Sequence, residues 1–176
     1  MSVLSAQTIR SFCMISEETV HPFPLISPFR ERTVVRGMSF GLGSAGYDVR
    51  VEFESGQAWK FTAPHFMDGI YYPGHTFMLA STVERFQMPD NIRGVVHDKS
   101  TWVRRGLTVQ NTVIEPGWSG YLTLELIYHG TKDLVVTTGD PIAQIAFEYL
   151  DHPTEQPYTG KYQHQPRGPQ EARDES

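Results

Sequence analysis

The chain has 176 residues, enough for one domain with its own buried core and without a disulfide or structural metal to hold it. Its formal net charge of −5 at pH 7 excludes a broad electrostatic grip on nucleic acid but leaves room for a local basic cluster that holds a small anion. The one cysteine, Cys13, cannot close an internal disulfide and fits a reducing cytoplasm. No apolar run is long enough to read as a membrane span, and Met1-Ser2-Val3-Leu4-Ser5 lacks the basic start and apolar stretch of a secretory signal.

Ser5 is placed to cap a short helix running to about Met14, with Ile9, Phe12 and Cys13 on one apolar face. Beyond it the pattern turns to strands. Tyr47, Val49, Val51 and Phe53 alternate with Asp48, Arg50 and Glu52, a period of two. Gln57 to Thr62, Thr76 to Ser81, Ile92 to His97, Leu107 to Gln110, Gly120 to Tyr128, Leu134 to Thr137 and Ile142 to Tyr149 read likewise. Pro73-Gly74, Pro89-Asp90-Asn91, Pro116-Gly117, His129-Gly130 and Gly139-Asp140-Pro141 punctuate them as turns. Many short strands with Pro and Gly turns predict an all-β barrel or sandwich with a short N-terminal helix. Residues 1–165 read as one domain, and 166–176, polar and charged, as a mobile tail.

Two motifs fail on context. Gly41-Leu42-Gly43-Ser44-Ala45-Gly46 fits GxGxxG, but a dinucleotide fingerprint must follow a strand and open a helix. Here it leads into the alternating run from Tyr47, so it reads as a flexible loop. Zinc deaminases need an H-x-E and a P-C-x-x-C set, which one cysteine cannot supply. The seven histidines are scattered and read as surface or packing residues. No metal ligands are therefore assigned.

The stretch from Asp98 to Glu125 carries the chemistry. Lys99, Ser100 and Thr101 set one cation beside two hydroxyls, and Arg104 follows Ser100 by one helical turn. Such a group suits a phosphate or a polarised water; it equally describes a solvated basic turn. On the strand from Gly120, Leu122, Leu124 and Leu126 share one face while Tyr121, Thr123, Glu125 and Ile127 share the other. A carboxylate among these neighbours is expected to be partly buried and to need a partner, for which Arg104 is the natural candidate. It is either a general base with a tunable pKa or half of a structural Glu–Arg pair.

The run Lys99-Ser100-Thr101-Trp102-Val103-Arg104-Arg105-Gly106-Leu107, followed by Ile114-Glu115-Pro116-Gly117-Trp118-Ser119-Gly120 and Leu124-Glu125, resembles the active-site signature of the deoxycytidine triphosphate deaminase family within the dUTPase superfamily. Ala45-Gly46-Tyr47-Asp48-Val49-Arg50, Gly139-Asp140-Pro141-Ile142-Ala143-Gln144, Pro157-Tyr158 and Lys161-Tyr162-Gln163-His164-Gln165 resemble its other segments, in family order. The resemblance implies a distorted jelly-roll-like dUTPase-type β-barrel and a homotrimer with active sites shared between subunits. It implies zinc-free hydrolytic deamination of dCTP to dUTP, with Mg2+ riding on the substrate triphosphate. Glu125 would be the general base, completed by Ser100 and Arg104. Lys99, Thr101, Tyr158, Lys161 and Gln165 would hold the triphosphate; Glu115 would face the sugar, Thr123 would lie beside the base, and Trp118 is counted with the substrate-binding set. The C-terminal segment would order over bound triphosphate as a lid.

Two departures from the family pattern stand out. The connection Gln110-Asn111-Thr112-Val113-Ile114-Glu115 is shorter than usual, which bears on base selection and could admit a modified cytosine. Glu115 stands where an aspartate is usual. The sister trimeric dUTPases place an apolar residue where Glu125 stands. A dUTPase, a bifunctional enzyme giving dUMP and pyrophosphate, and a non-catalytic nucleotide-binding regulator are the alternatives.

Overall fold

The computed structural model describes residues 2–14, 23–54, 56–110 and 112–174. In chain order the elements are β1 (Ser2–Val3), α1 (Ala6–Cys13), β2 (Ile26–Ser27), β3 (Thr33–Val35), β4 (Met38–Leu42), β5 (Tyr47–Glu52), β6 (Ala58–Phe61), β7 (His65–Met67), β8 (Ile70–Tyr72) and β9 (Phe77–Gln87). There follow β10 (Ile92–Asp98), α2 (Ser100–Val103), β11 (Leu107–Val109), β12 (Val113–Ile114), β13 (Ser119–Tyr128), β14 (Leu134–Thr137) and β15 (Pro141–Tyr149). The expected mainly-β architecture with a short N-terminal helix is present. Among the described residues eleven strands form one sheet, curled into a half-barrel, along the path β11-β13-β9-β5-β15-β10-β12, with β1, β2, β3 and β4 joined at its sides. Its ladders are antiparallel.

Alternation explains which way each strand faces. Tyr47, Val49 and Val51 of β5 are fully buried, and Phe53 continues the row. Ile145 and Phe147 of β15 join them, as do Leu124 and Leu126 of β13 and Phe86 of β9. In α1, Ile9 and Cys13 are buried and Phe12 packs against the core, as the helical spacing requires. Burial pushes the Cys13 thiol up to about 12. Ser5 holds the N-cap position, but its hydroxyl bonds the Thr8 hydroxyl at 3.1 Å and makes no side-chain cap bond to the backbone. Among the described residues no helix is long and apolar enough to cross a membrane.

Several segments differ from the sequence reading. Gly41 to Gly46 is not a flexible loop: Gly41 and Leu42 pair with Asp48 and Tyr47, and Gly43 N–H donates to Gly46 O at 2.8 Å, so the glycines turn a β-hairpin. Gly41 needs its φ of +86°, and a Cβ there would lie 2.5 Å from Glu31 O. The strand expected over Thr76 to Ser81 continues to Gln87. Its second half hides two polar residues, Thr82 and Glu84, that break the apolar pattern yet are fully buried.

Both are satisfied, within β9 and from neighbouring strands. Thr82 Oγ1 donates to Glu84 O at 2.7 Å and accepts from Leu122 N–H at 3.0 Å. The Glu84 carboxylate accepts from Arg50 N–H at 2.9 Å and from Arg50 Nε at 2.7 Å. Burial pushes the Glu84 carboxyl up, while the bonds and charge of Arg50 pull it down. Arg50 also lies over the Phe40 ring, 4.8 Å from its centroid. Removing one member of such a pair strands the other charge in the interior. Glu84→Ala is expected to cost about 3 kcal/mol or more in urea-induced unfolding, against a few tenths for an exposed control such as Glu155→Ala.

Candidate active site

β13 runs between β11 and β9 and positions the site. Its Leu122, Leu124, Leu126 and Tyr128 are buried; Tyr121, Thr123, Glu125 and Ile127 on the other face are half-buried. The pairing with β9 shifts register between Tyr121 and Thr123. Such an irregularity bends a strand and re-aims its side chains, and Leu122, Thr123 and Glu125 all border one cavity of about 510 Å³.

The cavity has three other walls. Phe77 and Leu79 of β9 give an apolar side, and Thr112 to Glu115 give a second edge. Glu115-Pro116-Gly117-Trp118 closes the approach to β13: Trp118 N–H donates to Glu115 O at 3.1 Å, and Gly117 has φ +82°, the pattern of a type II turn. The third wall is the chain after β15. Tyr158, Tyr162, Gln165, Gln170, Glu171 and Ala172 all line the cavity.

That segment is tied to β13 at many points. Gln165 forms an isolated parallel bridge to Gly120 and accepts Tyr121 N–H on its carbonyl at 3.1 Å. Trp118, 5% exposed, donates its indole N–H to Tyr162 O at 2.7 Å. Gln163 accepts Ser119 N–H on Oε1 at 2.8 Å and donates Nε2 to Gly117 O and Tyr158 O at 2.9 and 2.7 Å. Ser119 Oγ lies 2.8 Å from His164 Nδ1. Farther along, Arg167 forms an ion pair with Glu52 on β5 at 2.5 Å.

Of the residues singled out in the sequence, Glu125, Glu115, Trp118, Thr123, Tyr158 and Gln165 therefore meet in one cavity. Lys99, Ser100, Thr101, Arg104 and Lys161 are not among its lining. Ser100 begins α2 and Arg104 caps it, with Arg104 N–H donating to Ser100 O, so the one-turn spacing is real; both side chains are exposed. The loop around α2 is fixed by Asp98, which accepts Val109 N–H at 2.7 Å, and by buried Trp102, whose indole donates to Pro141 O. Lys99 is engaged elsewhere: its Nζ lies 2.6 Å from Asp48 Oδ2, and both side chains are nearly buried. Asp48 also accepts from Ser39 and Gln144. Lys161 is exposed, with Nζ 5.5 Å from the Tyr162 ring centroid.

The expected Glu125–Arg104 pair is absent: within one chain the Glu125 carboxylate makes no side-chain hydrogen bond or ion pair among the described residues. The physical reason is its place. It is half-buried and borders an open cavity, where solvent rather than a partner relieves the desolvation. Three carboxylates, Glu115, Glu125 and Glu171, line this cavity, and no Lys, Arg or His does. Among the described residues no group of three or more His, Cys, Asp or Glu gathers as a candidate metal site.

The sequence reading missed Gln163, Gln170 and Glu171. Gln163 sits inside the quoted Lys161-to-Gln165 motif as an unassigned position, and its four bonds could not be read from spacing. Gln170 and Glu171 lie in the stretch expected to be a mobile tail, where they line the cavity.

The dCTP deaminase-like family matches residues 26–150. A dCTP deaminase of Thermococcus kodakarensis is 34% identical over 139 residues, 79% of this chain and 84% of that one. A dCTP deaminase of Campylobacter curvus is 34% identical over 167 residues, covering 82% and 88%. The solved 2'-deoxycytidine 5'-triphosphate deaminase of Agrobacterium tumefaciens superposes with a TM-score of 0.56 at 17% identity, covering 84% of this chain and 48% of that one, which supports the shared fold.

The close approach at Gly120 makes the docking of the C-terminal segment testable. A Cβ there would lie 2.7 Å from Gln165 N and 2.8 Å from Gln165 O, at a φ of +148°. Gly120→Ala is expected to release the segment while leaving the sheet intact. Tryptic cleavage after Lys161 and Arg167 should then speed up by about tenfold or more, with an unchanged far-UV circular dichroism spectrum.

Proposed function

The chain belongs to the dCTP deaminase-like family, and from that premise we propose that it removes the 4-amino group of dCTP, or of a modified dCTP, by zinc-independent hydrolysis to dUTP and ammonia. The observation that carries the assignment of roles is Glu125: a half-buried carboxylate without a side-chain partner, in a cavity shared with Glu115, Thr123 and Gln165. A general base needs that combination of position, partial desolvation and freedom to take a proton.

In this reading Glu125 takes a proton from water, and the oxygen attacks C4 of the cytosine. The C4–N bond then breaks and a C4 carbonyl forms. Of the two protons that water brings, one ends on ring N3 and one on the departing ammonia, with Glu125 carrying them. Glu115 faces the sugar, and the apolar wall of Phe77 and Leu79 lies beside the base. No zinc-activated water is required when a positioned carboxylate supplies the base. Mg2+ carried by the substrate triphosphate would offset part of its charge. The single cysteine, Cys13, is free and buried, which suits a reducing cytoplasm.

The charge distribution supports a site shared between subunits of a homotrimer. One chain offers an apolar and acidic cavity suited to a nucleoside but carries its α2 hydroxyls and guanidinium elsewhere. A triphosphate entering an acidic pocket needs cations to meet it. Arg104 of a neighbouring copy would provide one and, with Ser100, complete the catalytic set beside Glu125; the Thr101 hydroxyl would donate to the phosphates, joined by Lys161 and Tyr158 of the C-terminal segment, which closes over them. Lys99, at the N-cap of α2 and paired with Asp48, would stand beside them with its charge shared.

Incubation with dCTP and Mg2+, in the presence of a zinc chelator, is expected to yield ammonia and a uracil nucleotide. Pyrophosphate from dUTP with dCTP untouched would instead establish a dUTPase, and dUMP from dCTP a bifunctional enzyme. Binding of nucleotide without turnover would identify a regulator. Glu125→Gln should retain nucleotide binding and lose about 10³-fold in kcat, since an amide cannot accept the proton. Arg104→Ala and Glu125→Gln chains, each inactive alone, should recover about a quarter of wild-type turnover when unfolded together and refolded as a 1:1 mixture, because one site in four then receives both native residues. No recovery in mixed assemblies would exclude a shared site.

A further inference from the structure

Thr123 stands two residues before Glu125 on the same face of β13, and its hydroxyl is the point where two parts of the C-terminal segment converge. Gln165 Nε2 donates to Thr123 Oγ1, and Gln170 N–H donates to the same oxygen at 3.0 Å. A hydroxyl has two acceptor sites and one proton. Here both acceptor sites are taken by the segment that forms the cavity's third wall. The proton has no acceptor among the described residues. Ser81, the cross-strand partner of Thr123, is fully buried, and its Oγ has no hydrogen-bond partner. Thr123 itself lines the cavity, so the function left to it there is that of a donor.

We propose that Thr123 is a specificity-determining residue whose hydroxyl couples closure of the C-terminal segment to recognition of the pyrimidine: Gln165 and Gln170 occupy its acceptor sites, and docking leaves its proton as a donor for a ring carbonyl. The inference rests on the deaminase reading for the identity of the ligand, but its structural half does not. Released from the segment, the hydroxyl rotates and serves as donor or acceptor alike; docked, it offers one polarity. The segment therefore both walls the cavity and sets what the cavity recognises.

The test compares Thr123→Val with Thr123→Ser. Valine keeps the shape and suits a strand, while removing the oxygen; serine keeps the oxygen. Hydrogen–deuterium exchange without added nucleotide reads the first half. Residues 163–172 should exchange about tenfold faster in the valine variant and near the wild-type rate in the serine variant. Steady-state kinetics with dCTP read the second: KM should rise by about tenfold in the valine variant with kcat within about twofold, and serine should restore it. Unchanged exchange in Thr123→Val would show that the oxygen does not hold the segment. Faster exchange with an unchanged KM would show that docking and recognition are not coupled. Either result overturns the proposal. A wild-type protein that leaves dCTP untouched would instead remove the deaminase reading, and the exchange comparison would still decide whether Thr123 holds the segment.

Discussion

The strict alternation of β13 is the constraint on which the rest of the molecule depends. One row of its side chains must enter the core and the other must leave it. Leu124 and Leu126 hold the first row at full burial, which obliges Thr123 and Glu125 to the second. A slip of one residue would turn the carboxylate into the core and expose the leucines. The core thus fixes the register of the site, and the irregularity after Tyr121 lets Leu122 contribute to both.

Glycine and glutamine do the remaining positioning. At Gly120 the absence of a side chain admits the backbone of Gln165 to form a bridge, and at Gly117 a Cβ would lie 2.6 Å from Pro157 Cβ. The C-terminal segment is therefore joined to β13 by backbone contact as well as by side chains. Gln163 reinforces that contact with both ends of its amide. Each bond is modest alone, about 1 kcal/mol. Their number in one short segment gives it a defined place while each remains individually exchangeable, which is what a wall that must also admit a ligand requires.

How much of this could be read from the sequence depends on the range of the interaction. Alternation is local, so the two faces of β13, the burial of β5 and the helical face of α1 were legible. Asp68-Gly69 was a legible turn signal that was left unread: both residues have positive φ and turn the hairpin of β7 and β8. β9 was truncated because Thr82 and Glu84 are polar, and only the three-dimensional partners, Arg50 and the backbone of Leu122, explain their burial. In the site, Glu125, Thr123 and Glu115 were found through the motif they share. Gln170 and Glu171 were invisible because a polar, Pro- and Gly-containing stretch reads as solvated until the strand it docks on is known. The Glu125–Arg104 pair was not legible for a related reason: motif order places residues along a chain, and it does not say whether they meet within one copy of it.

That distinction gives the charge pattern its meaning. A cavity bordered by Glu115, Glu125 and Glu171, with no Lys, Arg or His in its lining, is by itself poorly suited to hold three phosphates. Arg104 stands on α2, outside the lining of its own chain's cavity. In the proposed reading, assembly brings that guanidinium to the site. Lys99 shows the opposite arrangement within one chain: with Asp48 at 2.6 Å, its charge is already balanced. In that reading, the contrast between a cation paired inside the fold and one left exposed beside it suits α2 to complete a site outside its own subunit.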